Sequence, residues 1–282
     1  MINSFLMAGQ SNMAGRGFLK DVGQIYDEQI KMLVNGRWQT MTEPINFDRP
    51  TSGASLAAAF AAAWRLENSG QIGLIPCAEG GASLDEWAVG GVLFENAIFQ
   101  AKLAQRTSTL SGILWHQGEN DSFGGRHTEY YERLSVIVSA FRTTLNTPDL
   151  PFVMGGLGNY LSDGRYGKYF TEYEQINAAL IKVSINVPNC YFVTAKDLTA
   201  NPDGLHFDAV SLRKFGLRYF AAYSNHSSLL EPLPDELEAS LRLSEREMTK
   251  TEKAALLEIS FGRGELSLAE LEKQMDIINA LS

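Results

Sequence analysis

Cysteine is scarce in this chain, with 2 copies among 282 residues. Two thiols cannot build a disulfide framework. Cys77 and Cys190 each lie inside an apolar, strand-like run, so both are expected as buried free thiols. Histidine is scarce as well, with 4 copies, which leaves few candidates for an imidazole base. No apolar run is long enough to span a bilayer. The longest alanine-rich stretch, residues 54–66, is too short and too weakly hydrophobic. The first strand-like run starts at residue 2, with no charged and apolar leader ahead of it, and a cytoplasmic location is expected. Lysine and arginine are outnumbered 24 to 33 by acidic residues, for a net charge of -9. A nucleic-acid surface needs a basic face, so nucleic acid is not an expected partner, and neither is an anionic membrane. Internal repeats and low-complexity tracts are missing too.

What is present is an ordinary globular balance, 45% hydrophobic and 20% charged. Short apolar runs closed by glycine or polar turns read as strands at 2–8, 71–77, 111–116, 151–157 and 190–195. Each reads as buried on both faces, the pattern of parallel strands covered by helices. Helical patterns lie between them at 54–67, 93–107, 127–146 and 171–186. This alternation predicts an open α/β fold, with a mainly parallel five-stranded sheet and helices on both faces. Asn35-Gly36, between the two halves of 29–41, is a hairpin signal. It predicts a small antiparallel insertion near the site but outside the sheet.

The composition changes near Ser224. Residues 231–238 are rich in proline and acid and read as a linker. Beyond it, Thr249…Glu252 and Ser267…Glu270 have capping-box spacing. In the last helical pattern Leu268, Leu271, Met275 and Ile278 share one face. From Glu231 onward 12 acidic and 6 basic residues give -6 of the total -9, so the rest is almost neutral. The expected division is a catalytic domain over 1–230 and a helical C-terminal extension over 231–282. The extension is expected to pack on its own domain and to contribute to a homo-oligomer.

Ligands of open α/β sheets bind beyond the carboxyl ends of the strands. There the chain carries Gly9-Gln10-Ser11-Asn12, then Glu79-Gly80-Gly81-Ala82-Ser83, then His116-Gln117-Gly118-Glu119-Asn120-Asp121, and finally Asp203-Gly204-Leu205-His206-Phe207-Asp208. A serine hydroxyl needs a base to become a nucleophile. Ser11 at a helix start brings N–H groups to a developing oxyanion. Gly80 or Gly81 lets a second N–H approach without a side chain in the way. The Gln117 amide offers a third donor. His206 suits the base, and Asp203, three residues earlier, suits the group that orients it.

These blocks resemble the SGNH-hydrolase superfamily, in the branch of sialate O-acetylesterases and acetylxylan esterases (carbohydrate esterase family six). The similar stretches are GQSNMAG, GGAS followed by Leu84 and Trp87, WHQGE, and DGLHF, in the same order across residues 2–210. The resemblance implies a three-layer flavodoxin-like fold and serine-dependent removal of O-acetyl groups from carbohydrate. It implies Ser11, Asp203 and His206 as the triad and Ser11, Gly80 and Gln117 as the oxyanion hole. Gln10, Asn12, Gly81, Glu119 and Trp87 would bind substrate or brace the site. No cofactor or metal is implied. Two departures stand out: Gly80-Gly81-Ala82 where the branch often has Gly-Gly-Thr, and Asn120-Asp121 after Glu119 where it has Ser-Asp. The tail from about Glu231 lies outside the resemblance.

Plainer readings compete with these. Ser11 suits a helix N-cap, His116 a buried structural hydrogen bond, and Asp208 the cap of the next helix. Glu119, Asp121 and His127 match no metal-site spacing, and His127 and His226 read as surface residues. Tyr166, Tyr169, Phe170 and Tyr173 suit either a carbohydrate cleft or a helix packing face. The expected substrate is an acetylated xylo-oligosaccharide or an O-acetyl sialic acid. The rival readings are a short-chain acyl esterase or thioesterase, and an inactive carbohydrate-binding relative.

Overall fold

Nine consecutive residues of one alanine-rich helix, Leu56–Trp64, are buried, and they show how the fold is assembled. In a computed structural model that describes residues 1–280, this helix, α2 (Leu56–Glu67), starts where Ser55 accepts a hydrogen bond from the Ala57 N–H at 3.2 Å. Its small side chains let α6 (Ala209–Ser224) come close. A Cβ at Gly216 would stand 2.3 Å from the Leu56 carbonyl oxygen, so the contact between the two helices needs glycine there.

The sheet has seven strands, not five, in the order β3-β2-β4-β1-β5-β6-β7. They are β1 (Ile2–Gly9), β2 (Ile30–Val34), β3 (Arg37–Thr40), β4 (Gln71–Pro76), β5 (Ser108–His116), β6 (Phe152–Gly155) and β7 (Cys190–Val193). The five expected strands form as parallel neighbours. The two extra strands are the predicted hairpin. It forms at Asn35-Gly36, with β2 and β3 antiparallel, but it belongs to the sheet, because Ile30–Met32 pair in parallel with Ile72–Leu74 of β4. β3, alternately exposed and half-buried, forms the edge, and the sequence signal for a hairpin cannot say what its inner strand meets.

α2 and α6 cover one face of the sheet and share a core with Phe5, Met7 and Leu74. The other face is covered by α3 (Val92–Gln105), α4 (His127–Thr144) and α5 (Tyr173–Asn186), which pack on Leu6, Ile113 and Phe152. The layers are therefore α/β/α. Cys77 and Cys190 are free and buried. β1 is central, with β4 on one side and β5 on the other. The chain builds outward from β1 first in one direction and then in the other, so the crevice at this reversal opens at the end of β1.

After α6 come α7 (Glu236–Arg242), α8 (Lys250–Gly262) and α9 (Leu268–Ala280); the last two residues of the expected extension lie outside the described residues. α7 is tied to α6 by Arg218, fully buried, whose guanidinium donates to both oxygens of Glu236 at 2.7 and 2.5 Å. The capping box at Thr249 forms. Its Glu252 is buried and also accepts from the Glu28 N–H at 2.9 Å and from Arg246 at 2.5 Å. The Ser267–Glu270 pair forms as well. In α9, Leu271, Met275 and Ile278 are half-buried against α8, while Leu268 is exposed. Among the described residues no helix is long and apolar enough to cross a membrane.

Candidate active site

β1 ends where it approaches β5 more closely than a side chain allows. Gly9 has φ +129°, and a Cβ there would stand 2.0 Å from the His116 carbonyl oxygen. Directly after it the chain turns into α1 (Ser11–Ala14), a single turn. Met13 and Ala14 donate to the Gln10 carbonyl, which fixes Ser11 as the first helical residue. The N–H groups of Ser11 and Asn12 bond nothing among the described residues, as expected of a helix's opening turn. Ser11 is 6% exposed.

The loop between β7 and α6 meets it. It is closed by hydrogen bonds from Asn201 N to the His206 carbonyl at 2.7 Å and from Gly204 N to the Asn201 carbonyl at 2.9 Å. Within it Asp203 Oδ1 accepts from the N–H groups of Leu205 and His206 at 2.9 and 3.0 Å. Asp203 Oδ2 lies 2.7 Å from His206 Nδ1, and His206 Nε2 lies 3.0 Å from Ser11 Oγ. Burial alone would push the Asp203 carboxyl up. The hydrogen bonds from the imidazole and the two backbone N–H groups outweigh it and hold the carboxyl down at about 2. An ionised carboxylate only accepts, so Nδ1 carries the proton toward Asp203 and Nε2 is left to accept from the serine hydroxyl. Asp208 is spent elsewhere: it caps α6 by accepting from Ser211 N at 2.7 Å.

Asn12 and Glu119 register the two halves. Asn12 Nδ2 donates to Glu119 Oε1 at 2.5 Å, and Asn12 Oδ1 accepts from Phe207 N at 3.0 Å. Glu119 also meets His116 Nε2 at 3.2 Å. Burial raises the Glu119 carboxyl, but His116 and the Asn12 amide more than compensate and leave it below the usual range. Asn12, Glu119 and His116 are all nearly or fully buried. Trp87 is also fully buried, donating to the Gly9 carbonyl at 3.1 Å and meeting Trp115 edge to face. It holds up the turn and does not line the cleft. His127 is half-buried and bonds Glu172 at 3.0 Å rather than standing free on the surface.

Two expected oxyanion donors are committed elsewhere. The Gly80 N–H donates to Asp48 Oδ2 at 2.8 Å. Gln117 is fully buried, and its Nε2 donates to Asp121 Oδ2 at 2.6 Å and to the Ala82 carbonyl at 3.1 Å. Its Oε1 accepts from Tyr130 Oη at 2.9 Å. Two other donors of the same chemistry have no partner among the described residues. The Gly81 N–H is one. The other is Gln10 Nε2. Gln10 Oε1 is held by Gly118 N at 3.2 Å, Gln117 Nε2 at 3.3 Å and Asn120 N at 3.4 Å, which turns the amide so that its NH₂ end is left over. The sequence could not separate Gly80 from Gly81, neighbours of one type in one block, or Gln10 from Gln117, which carry the same amide in two blocks that meet at one rim.

Asp48 and Arg16 are the site residues that sequence reasoning missed. They form a buried ion pair at 2.5 Å. Asp48 also accepts from Asn46 Nδ2 at 3.0 Å and Ser52 Oγ at 3.0 Å, so it anchors the glycine loop. Burial raises the Asp48 carboxyl, and Arg16 with these donors brings it below its ordinary value. The only sequence signal is Arg16, a cation next to the first block; Asp48 lies in a long connection with no motif.

Comparison with known proteins agrees with this architecture. Residues 1–225 match the family model described as carbohydrate esterase, sialic acid-specific acetylesterase. The Arabidopsis thaliana protein named "Probable carbohydrate esterase At4g34215" is 29% identical over 242 residues, covering 78% of this chain and 89% of that one. Its crystal structure superposes with a TM-score of 0.68 at 26% identity, over 79% of this chain and 98% of the other. NanS has a TM-score of 0.64 at 17% identity, over 80% and 97% of the two chains. The likeness to NanS is one of fold. With a family model spanning the whole α/β body and the four blocks assembled at one rim, the chain belongs to the carbohydrate esterase family of sialic acid-specific acetylesterases.

Proposed function

We propose that the protein is a serine esterase that removes O-acetyl groups from carbohydrate through a covalent acetyl-enzyme. The observation that carries this reading is the continuous hydrogen-bonded line from Asp203 through His206 to Ser11. Ser11 Oγ attacks the acetyl carbonyl while its proton passes to His206 Nε2. The tetrahedral oxyanion takes hydrogen bonds from the N–H groups of Ser11 and Gly81 and from Gln10 Nε2. Collapse breaks the bond to the sugar oxygen, which leaves with the proton from His206. Water then enters, gives its proton to the same nitrogen, and attacks the acetyl carbon. Acetate departs and Ser11 regains its hydrogen. Asp203 stays ionised throughout and stabilises the imidazolium.

Family membership supports an ester of carbohydrate as substrate. Among sugars, an acetylated xylo-oligosaccharide and an O-acetyl sialic acid are the two substrates to assay. The deciding measurement is hydrolysis of p-nitrophenyl acetate by the wild-type protein and by Ser11→Ala. Loss of several orders of magnitude with an unchanged circular-dichroism spectrum is expected, together with a fluorophosphonate adduct on Ser11. Near-wild-type turnover by Ser11→Ala would end this reading.

A further inference from the structure

A cleft of about 400 Å³ lies beside the proposed triad, lined among others by Asn120, Phe123, Arg126, Tyr166, Tyr169 and Leu205. Leu205 precedes His206 in the chain, and Asn120 follows Glu119, the partner of Asn12. The cleft therefore adjoins the place where the ester would be held. Its floor and walls are unusual for a water-facing surface. Phe123 is 51% exposed, Tyr169 49% and Tyr166 38%. Phe123 and Tyr169 meet edge to face with centroids 6.1 Å apart, although they come from different loops. Packing within a helix does not explain them: Tyr166 and Tyr169 lie outside α5, in a short 3₁₀ turn and the residue before it. Large exposed aromatic rings grouped on a cleft mark a contact site.

We propose that this cleft is a sugar subsite, in which a pyranose ring of the acetylated substrate lies against the Phe123–Tyr169 pair. A sugar ring presents C–H groups on its faces and hydroxyls around its edge. Aromatic faces suit the first, since their negative π surface attracts polarised C–H groups. Polar groups at the rim suit the second. Asn120 supplies its amide oxygen there, its Nδ2 being held by the Gly81 carbonyl at 2.5 Å, and Arg126 supplies guanidinium N–H groups. Arg126 is already shared by Asp85 at 3.1 Å and Asp121 at 3.5 Å, which fixes its orientation before a ligand arrives. Tyr166 completes the wall. This inference rests on the esterase reading above, because it assigns the leaving-group side of the same reaction.

The test separates the two. Phe123→Ala and Tyr169→Ala are compared with wild type on p-nitrophenyl acetate, which is too small to fill the cleft, on acetylated xylo-oligosaccharides, and on O-acetyl sialic acids. Each variant is expected to raise KM about tenfold or more for the carbohydrate ester that the wild type prefers. The kcat/KM for p-nitrophenyl acetate should stay within twofold. Titration of the Ser11→Ala protein with the same carbohydrates, followed by tyrosine fluorescence, should show saturable binding that Tyr169→Ala weakens. Equal losses on the small and the carbohydrate esters would overturn the subsite and make the aromatics structural. So would binding that ignores both substitutions. If the wild type fails to hydrolyse p-nitrophenyl acetate, the esterase reading falls while the binding titration still decides the cleft.

Discussion

Asp203 is a carboxylate held by three donors, and its low pKa has a consequence for the pH profile. A carboxyl titrating at about 2 stays charged at every pH used for an ester assay. Asp203 should therefore put no inflection of its own into the pH profile of kcat/KM. An Asp203-dependent inflection between pH 3 and pH 5, lost in Asp203→Asn, would contradict the geometry of the loop. Asp203→Asn should lower kcat by about 10⁴, as loss of the orienting carboxylate does in a triad. Gln10→Glu keeps the acceptor oxygen that Gly118, Gln117 and Asn120 hold, but exchanges the NH₂ for a second oxygen. It should lower kcat by roughly 10²–10³, the usual cost of an oxyanion donor. Gln117→Leu should instead lower the melting temperature, because Asp121 and Tyr130 then lose a buried partner. If Gln117→Leu lowers kcat at unchanged stability, the assignment of the two glutamines is reversed. Ser11, His206 and Asp203 could be singled out in the sequence by the order of their blocks, against a plain N-cap reading of Ser11. The amides and glycines were legible only as blocks, because which amide is free depends on bonds that no spacing records.

At the scale of elements, most of the sheet could be read because buried strands are short, apolar and closed by glycine. The edge could not. A hairpin announces its turn, but its pairing with β4 depends on main-chain groups that every sequence carries. Arg218 was equally invisible: nothing local marks an arginine as the fully buried anchor of a helix 18 residues away. That pair makes the tail's first helix different from its last two. Glu236→Ala leaves a buried guanidinium unpaired and should cost about 3–5 kcal/mol in urea unfolding. A chain ending after Met248 loses α8 and α9, which reach the α/β body through Glu252 on Glu28. It should fold and keep its kcat on p-nitrophenyl acetate. A chain ending after Leu230 also loses Glu236, and it should unfold at markedly lower urea. Equal stability of the two truncations would show that α7 carries no special weight.

For the molecule as a whole, the two cysteines report on global integrity. Burial pushes the Cys77 thiol up to about 12 and the Cys190 thiol up to about 11. A thiol reacts as its thiolate, so neither should react with Ellman's reagent at pH 8 in the native protein, and both should react in denaturant. Fast labelling of either in the folded state would contradict the packing of the sheet.

The acid and the base lie three residues apart in one loop whose bonds are mostly its own, while their alignment with Ser11 runs through the Asn12 amide, with the Asn201 amide on the Arg16 carbonyl behind it. The loop is thus a prefabricated cartridge, and Asn12 is the latch that seats it. Gentle heating should unseat the cartridge before it dismantles it. Turnover would then fade at temperatures where helix content is still whole, and cooling would bring it back.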